Sequence, residues 1–359
     1  MRMKYGTWGW LLILVALGCL LSCSTSSSSS SGTDALYVTT QGDALVSLFS
    51  VDLNKGTLSA NGSSVATGTT PSAIILTEAR DMAFVANRDS NDISRYTVNS
   101  DGTLAAVTGN TPAGTTPVSM AIDSVGNFLF VANRGSDDIS VFSIGSGASL
   151  AEVVGSPFSV AASPVSVAVT PAGTFLYVAN NVTGVISAYS IDSAGGLSPV
   201  PGPAFTAGTA PSGVTVTPDG KFLYATNSGS NNVSAFVINS DGSLTAISGS
   251  PVSAGVGPVS PRVDPSGAFL YVADEQSNQV SGYKISSSTG ALTPLSTPTI
   301  STGVNPVWLA IHPGGLYLYV ANIGGASISA YTINTTSGVL GVVGSPFTTG
   351  GQPSAIALK

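Results

Sequence analysis

Few side chains in this sequence can titrate, coordinate or attack at neutral pH. Its 359 residues include one histidine and two cysteines, with 11 Lys plus Arg against 18 Asp plus Glu. Zinc, haem and Cys-His sites need more ligands than that. No acidic stretch has the several fixed ligand offsets of a calcium loop, so neither a metal nor a cofactor is expected. The charges that exist are clustered: Asp43, Arg88, Asp89, Asp92, Arg134, Asp137, Asp138, Asp274 and Glu275 all fall just after an aromatic-led apolar run. Among them Glu275 is the carboxylate that could act as a general base. Arg88, Asp89, Arg134, Asp137, Asp138 and Asp274 are candidate contacts for a sugar, a cation or a protein partner. The same charges would also serve as the solubilising rim of an apolar body. Arg262 is a cation inside an otherwise apolar run, and burying it is costly enough to demand a partner. Asp264 and Glu275 are the nearest carboxylates in sequence.

A repeat positions these residues. A tetrad of aromatic, apolar, small and polar residues begins at Tyr37, Phe84, Phe130, Tyr177, Tyr224, Tyr271 and Tyr319, at steps of 47, 46, 47, 47, 47 and 48. A second segment follows each tetrad and ends in an aromatic, as in Ser187-Ala188-Tyr189. Each unit opens with a proline (Pro71, Pro117, Pro164, Pro211, Pro258, Pro306, Pro353), which is tolerated at the first residue of a strand. A turn such as Thr217-Pro218-Asp219-Gly220 then leads to the tetrad. Strand A, turn, strand B with the tetrad, loop, strand C, a glycine turn and a weaker strand D make a four-stranded propeller blade. Strand B is apolar on both sides, as in Phe175-Leu176-Tyr177-Val178-Ala179, which suits stacked blades. A transmembrane barrel would instead alternate apolar and polar residues.

The chain ends predict the closure. The first tetrad has no proline-led strand before it, and Pro353-Ser354-Ala355-Ile356-Ala357-Leu358 has nothing after it. The last strand should therefore complete the first blade of an all-β, seven-bladed ring over residues 34–359 and hide its edges. Within the repeat, Arg262 occupies a position that is alanine at Ala121, Ala168, Ala310 and Ala357. Three residues beyond Val259, it is expected on the opposite face of the strand. His312 precedes a turn proline, where other units have Thr170, Thr217 and Asp264, and is read as a turn residue at the end of the ring away from the B–C loops.

The first thirty residues read differently. Arg2 and Lys4 precede an uncharged run from Trp8 to Leu21, too short to span a bilayer and arranged as an export signal over residues 1–22. Leu20-Leu21-Ser22-Cys23 resembles the lipobox of bacterial lipoproteins, which implies a lipid anchor on Cys23, with Cys19 in a second, weaker version. Residues 23–33 would form a flexible serine-rich tether, reaching on the order of 18 Å over ten residues. The resemblance implies an exported protein, anchored facing the periplasm or at the cell surface.

The tetrads YVTT, FVAN and YVAN, the ISAY segments and the PDGKFLY turn resemble the seven-bladed lactonase-like propellers. These include 6-phosphogluconolactonases of the cycloisomerase type and YVTN-repeat surface proteins. The likeness runs from about Leu36 to Leu358 and implies the fold. The enzymatic members carry a Gly-Pro-Arg-His step into one inner strand and an Asn-Glu after the tetrad of the same blade. Here Gly257-Pro258-Val259-Ser260 and Tyr271-Val272-Ala273-Asp274-Glu275 keep the Gly-Pro and the glutamate but replace the arginine and histidine.

At a formal charge of −7 with 8% charged residues, the chain lacks the clustered cations that nucleic acid requires. The expected function is a monomeric ligand- or protein-binding module at the cell envelope, meeting a small molecule or an envelope protein on its B–C loop face. The alternative is a lactonase with Glu275 as base and Arg262 holding an anionic group. A third reading, a subunit of a periplasmic redox enzyme, lacks residues to place the cofactor.

Overall fold

Strand B offers no polar face to water, and the structure leaves it none. In the computed structural model, which describes residues 34–202 and 204–359, Leu176 through Ala179 and their counterparts in the other units are fully buried. The expected export segment, the candidate anchors Cys19 and Cys23 and the expected serine-rich tether lie outside the described residues. Strands B are Asp34–Thr40, Met82–Asn87, Phe128–Asn133, Phe175–Asn180, Phe222–Asn227, Phe269–Asp274 and Tyr317–Asn322, and they number blades 1 to 7. Each lies between its strand C and a proline-led strand A in an antiparallel sheet ordered A-B-C-D.

Strands A are Pro71–Leu76, Pro117–Ile122, Pro164–Val169, Pro211–Val216, Pro258–Val263 and Pro306–Ile311 for blades 2 to 7, and Pro353–Leu358 for blade 1. Pro353–Leu358 pairs with Asp34–Thr40, so the C-terminal strand completes the first blade, and the Lys359 amide donates to the Ala35 carbonyl at 2.8 Å. Strand D is less regular than the repeat predicts. In five blades it is broken into two short pieces on the same strand C, as Leu58–Ala60 and Val65–Ala66. It runs unbroken only as Leu104–Pro112 in blade 2 and Leu292–Ser301 in blade 6.

Neighbouring blades are joined at two radii. Near the periphery, Tyr37, Tyr177, Tyr224, Tyr271 and Tyr319 donate to the carbonyls of Gly102, Gly242, Gly290, Gly338 and Gly56 in the next blade's C–D turn, at 2.7 to 3.1 Å. The turn needs glycine: Gly242 has φ +84°, and a Cβ there would run into the Phe175 ring of blade 4.

At the centre, each strand A hydrogen-bonds to the next. Ser72 donates to Pro117 O (2.8 Å), Ser212 to Pro258 O (2.5 Å), Ser354 to Pro71 O (2.6 Å) and Trp308 Nε1 to Ile356 O (3.0 Å). Ser119, Ser166 and Ser260 instead accept from the amides of Val167, Val214 and Leu309, at 3.0 to 3.2 Å. These seven links run once around the ring.

Candidate functional site at the channel mouth

The amide of the residue after each strand B is held by the carbonyl before a strand-A proline, and in five blades that residue lines the channel. Arg88 N donates to Thr70 O (2.9 Å), Arg134 N to Thr116 O (2.9 Å), Glu275 N to Gly257 O (3.0 Å) and Ile323 N to Asn305 O (2.9 Å). Each acceptor immediately precedes a strand-A proline and has a left-handed backbone, with φ between 51° and 67°. Gln41 is held likewise by Gln352 O at 2.9 Å. These five side chains ring the mouth of a cavity of about 890 Å³ whose walls are the seven strands A.

Charge at the mouth is separated. Glu275 belongs to blade 6, while Arg88 and Arg134 belong to blades 2 and 3, three blades away in either direction and as far across as a ring of seven allows. The Glu275 carboxylate has no hydrogen bond or ion pair among the described residues, and partial burial pushes its pKa up, making it a stronger base than a free glutamate. Arg134 spends one N–H, Nε to Ser163 Oγ at 3.3 Å. Arg88 Nε donates to Asp89 at 3.1 Å, in an exposed pair that leaves its other donors free. The mouth can therefore orient a polar ligand with an anionic group toward blades 2 and 3 and a proton-bearing group toward blade 6.

Four other loop carboxylates, Asp89, Asp137, Asp138 and Asp274, are bonded within the protein. Asp89 accepts from Thr70 as well as Arg88, and both hold its carboxyl below the usual range. Asp137 accepts the Ser163 amide of the next blade at 2.7 Å, as Asn91, Asn231 and Asn278 do at the equivalent turns. Asp138 accepts from Asn133 Nδ2 at 2.7 Å. Asp274 is the last residue of strand B and completely buried, bonded to Ser281 (2.6 Å), Gln279 (3.2 Å) and the Gly255 amide (3.1 Å). Burial raises its pKa from 3.8 to about 6. It does not line the cavity, and the expectation of a ligand contact there gives way to a structural one.

Arg262 does line the cavity, and two expectations about it are corrected. It pairs with Tyr271 while Val259 pairs with Ala273, so three residues of strand A span two of strand B. This bulge, with Ser260 at φ +48°, resets the alternation and brings Val259 and Arg262 to the same face. Nor does Arg262 have a carboxylate partner among the described residues. Asp264 accepts from Ser266 and the Phe269 amide instead. The guanidinium lies 4.8 Å from the centre of the Trp308 ring and donates from Nη1 to Pro261 O at 3.0 Å. Burial pushes its pKa down to about 10, so it stays charged. Along the sheet it sits four residues below Glu275, roughly 13 Å, so the two line the same cavity at different depths.

His312 sits at the opposite end of the ring, as its turn position implies. It does more than start a turn: Nδ1 accepts the Gly314 amide at 3.0 Å and leaves Nε2–H to donate to Asp34, tying blade 7 to the start of blade 1. Among the described residues no cluster of His, Cys, Asp and Glu could hold a metal ion.

Residues 28–122, 103–200 and 196–304 each match the family model for lactonase, 7-bladed β-propeller. The chain belongs to the lactonase family. Among solved structures, this lactonase-family chain is similar to a candidate 6-phosphogluconolactonase from Bacteroides fragilis NCTC 9343. The two are 22% identical, with a TM-score of 0.81 over 92% of this chain and 99% of that one. It is similar to the periplasmic gluconolactonase of Pseudomonas aeruginosa at 21% identity and a TM-score of 0.77, over 90% and 98% of the two chains. Hydrazine synthase of Kuenenia stuttgartiensis matches at 19% and 0.64, over 83% of this chain and 95% of that one. At these identities the likeness establishes the fold, which hosts unrelated chemistries. No curated protein sequence matches the chain.

Two cavity residues of this lactonase-family chain escaped the sequence reading, Gln41 and Trp308. Trp308 reaches across the channel to pack against the cores on either side of blades 1 and 2. The signal was present: two residues after the proline the other units have Ala73, Ser119, Ser166, Gly213, Ser260 and Ala355, so one bulky aromatic among small residues marks something crossing the axis.

Proposed function

We propose that the channel mouth takes up a small sugar-type lactone and hydrolyses it, with Glu275 as general base. Glu275 accepts a proton from a water as the water oxygen attacks the lactone carbonyl carbon. The tetrahedral intermediate then expels the ring oxygen, which takes that proton back, and the open hydroxy acid leaves. Arg88 and Arg134 hold the anionic or oxygen-rich end of the substrate. The observation that carries this reading is a mouth carboxylate with no partner among the described residues, raised in basicity and set across the channel from two arginines, in a lactonase-family chain. Glu275→Gln should reduce turnover on a panel of sugar and aliphatic lactones by about 10²-fold or more, the usual scale for a positioned base. Equal rates for the variant and the unaltered protein would overturn the assignment.

A second reading has its own support. Val259 and Ser260 stand where the family's arginine and histidine would be, and neither can hold an anion by charge or carry a proton at neutral pH. On that reading the mouth binds a small molecule or an envelope protein without turning it over. Lactone binding detected by calorimetry with no hydrolysis would establish it.

In either case the protein would be exported and anchored through Cys23. Metabolic labelling with palmitate should mark the chain and be lost in Cys23→Ala. Label that survives in Cys23→Ala and disappears in Cys19→Ala would move the anchor to Cys19.

A further inference from the structure

Below the mouth the channel holds a further charged group. Arg262 lies well inside the channel, has five N–H donors and spends one of them on Pro261 O. The other six strands A place Ile75, Ala121, Ala168, Thr215, Ala310 and Ala357 at the same level, and all line the cavity. Five of the six are aliphatic and four are alanine, so the guanidinium has space before it and almost nothing polar to meet. The exception is Thr215 on the adjacent blade, whose hydroxyl makes no hydrogen bond among the described residues. Among the described residues the guanidinium has no counter-charge, and it is half-buried with its free donors open to the cavity, so an anion that enters the channel can pair with it.

We propose that Arg262 and Thr215 hold the carboxylate of a small acid with an apolar body, which packs against the aliphatic walls and the Trp308 ring. The site takes a single negative charge. One guanidinium matches a carboxylate in charge and forked geometry, whereas a phosphate dianion would leave a second charge among alanine methyls. The walls at this level favour an alkyl or aryl acid over a polyhydroxylated one, because Thr215 carries the only side-chain hydroxyl among the six residues facing Arg262. The cavity of about 890 Å³ is within the range of small-molecule sites. This inference does not rest on lactone hydrolysis, and a protein without turnover would still show it.

The test is calorimetric titration of the full-length protein with benzoate, alongside inorganic phosphate and chloride at matched ionic strength. Saturable binding of benzoate, with phosphate and chloride binding markedly more weakly, is expected. Arg262→Met should weaken benzoate roughly ten- to hundredfold, the scale of a charge-assisted bidentate contact. Arg262→Lys should retain part of the affinity, and Thr215→Val should lose less than Arg262→Met. Circular dichroism melting checks that each variant folds. If Arg262→Met does not, the Lys and Val variants decide. Absence of saturable benzoate binding, benzoate binding undiminished by these substitutions, or chloride binding as tightly as benzoate would each overturn the proposal.

Discussion

Asp274 is a charge placed where the scaffold wants an amide. The equivalent residue is asparagine in five blades, and Asn227 shows the intended pattern. Its Nδ2 donates to Asn232 and Ser234, and its Oδ1 accepts the Gly208 amide. Asp274 keeps the backbone contact, from Gly255, but buries a carboxylate to do so. Its pKa is about 6 in the folded chain and near 3.8 when exposed. Between those values the folded state binds the extra proton, so stability falls as pH rises from about 4 to 6 and stays lower above. Asp274→Asn should therefore stabilise the protein at pH 7.5 by on the order of 2–3 kcal/mol and change little at pH 3.5. Urea denaturation at the two pH values checks this, and an equal effect at both would show that the carboxylate is not the cause. Glu275, one residue further on, is raised by the same physics but faces the cavity, and this difference of one position separates a scaffold acid from a candidate base.

At the scale of the strand, inter-blade contacts explain why the aromatic of the tetrad varies. Tyr177 reaches Gly242 O at 2.9 Å, and Tyr177→Phe should cost about 1 kcal/mol. Phe130 stands at the same place in blade 3, facing the blade 4 turn whose Gly195 has the same φ of +84° as Gly242 and Gly102. Phe130→Tyr should gain a hydrogen bond to that turn and leave stability equal or higher. Phe84→Tyr should lower it, because the blade 3 turn facing Phe84 is a 3₁₀ segment, Ser146–Ala148. Thermal melts of the three variants rank them. Strands B and C were legible in the sequence because burial on both faces forces an unbroken apolar run with a fixed period. Strand D was less so, since its outer position tolerates breaks. The bulge at Ser260 and Pro261 was illegible because side-chain alternation assumes a regular ladder, and for that reason the facing of Arg262 was misjudged. The roles of Asp137, Asp138 and Asp274 were hidden for a related cause: in sequence a carboxylate that accepts a neighbour's amide looks like one awaiting a ligand. Aligning the residue just after each strand B would have separated Arg88, Arg134 and Glu275 from them.

At the scale of the whole ring, stability depends on its seams. Removing Pro353–Lys359 would delete strand A of blade 1. With it go two of the seven central links, Ser354 to Pro71 and Trp308 to Ile356. It would also expose the edge of Asp34–Thr40, a strand buried from its second residue onward. The truncated chain should lose cooperative unfolding and self-associate. Light scattering after size exclusion reads this directly, and a monomer with an unchanged melt would show that the closure is dispensable. His312 and Asp34 brace the same seam from the other end of the channel.

The bond from Lys359 N to Ala35 O at 2.8 Å has one more consequence. The two ends of the folded chain touch, inside a sheet that differs little from the six others. The architecture therefore has no privileged starting point: a short peptide joining Lys359 to Asp34 in place of residues 1–33 would make the backbone a continuous loop, and a new break in an exposed A–B turn such as residues 218–221 would give a circular permutant with the same seven sheets. Which blade is first is a fact about the order of the coding sequence rather than about the forces that hold the ring.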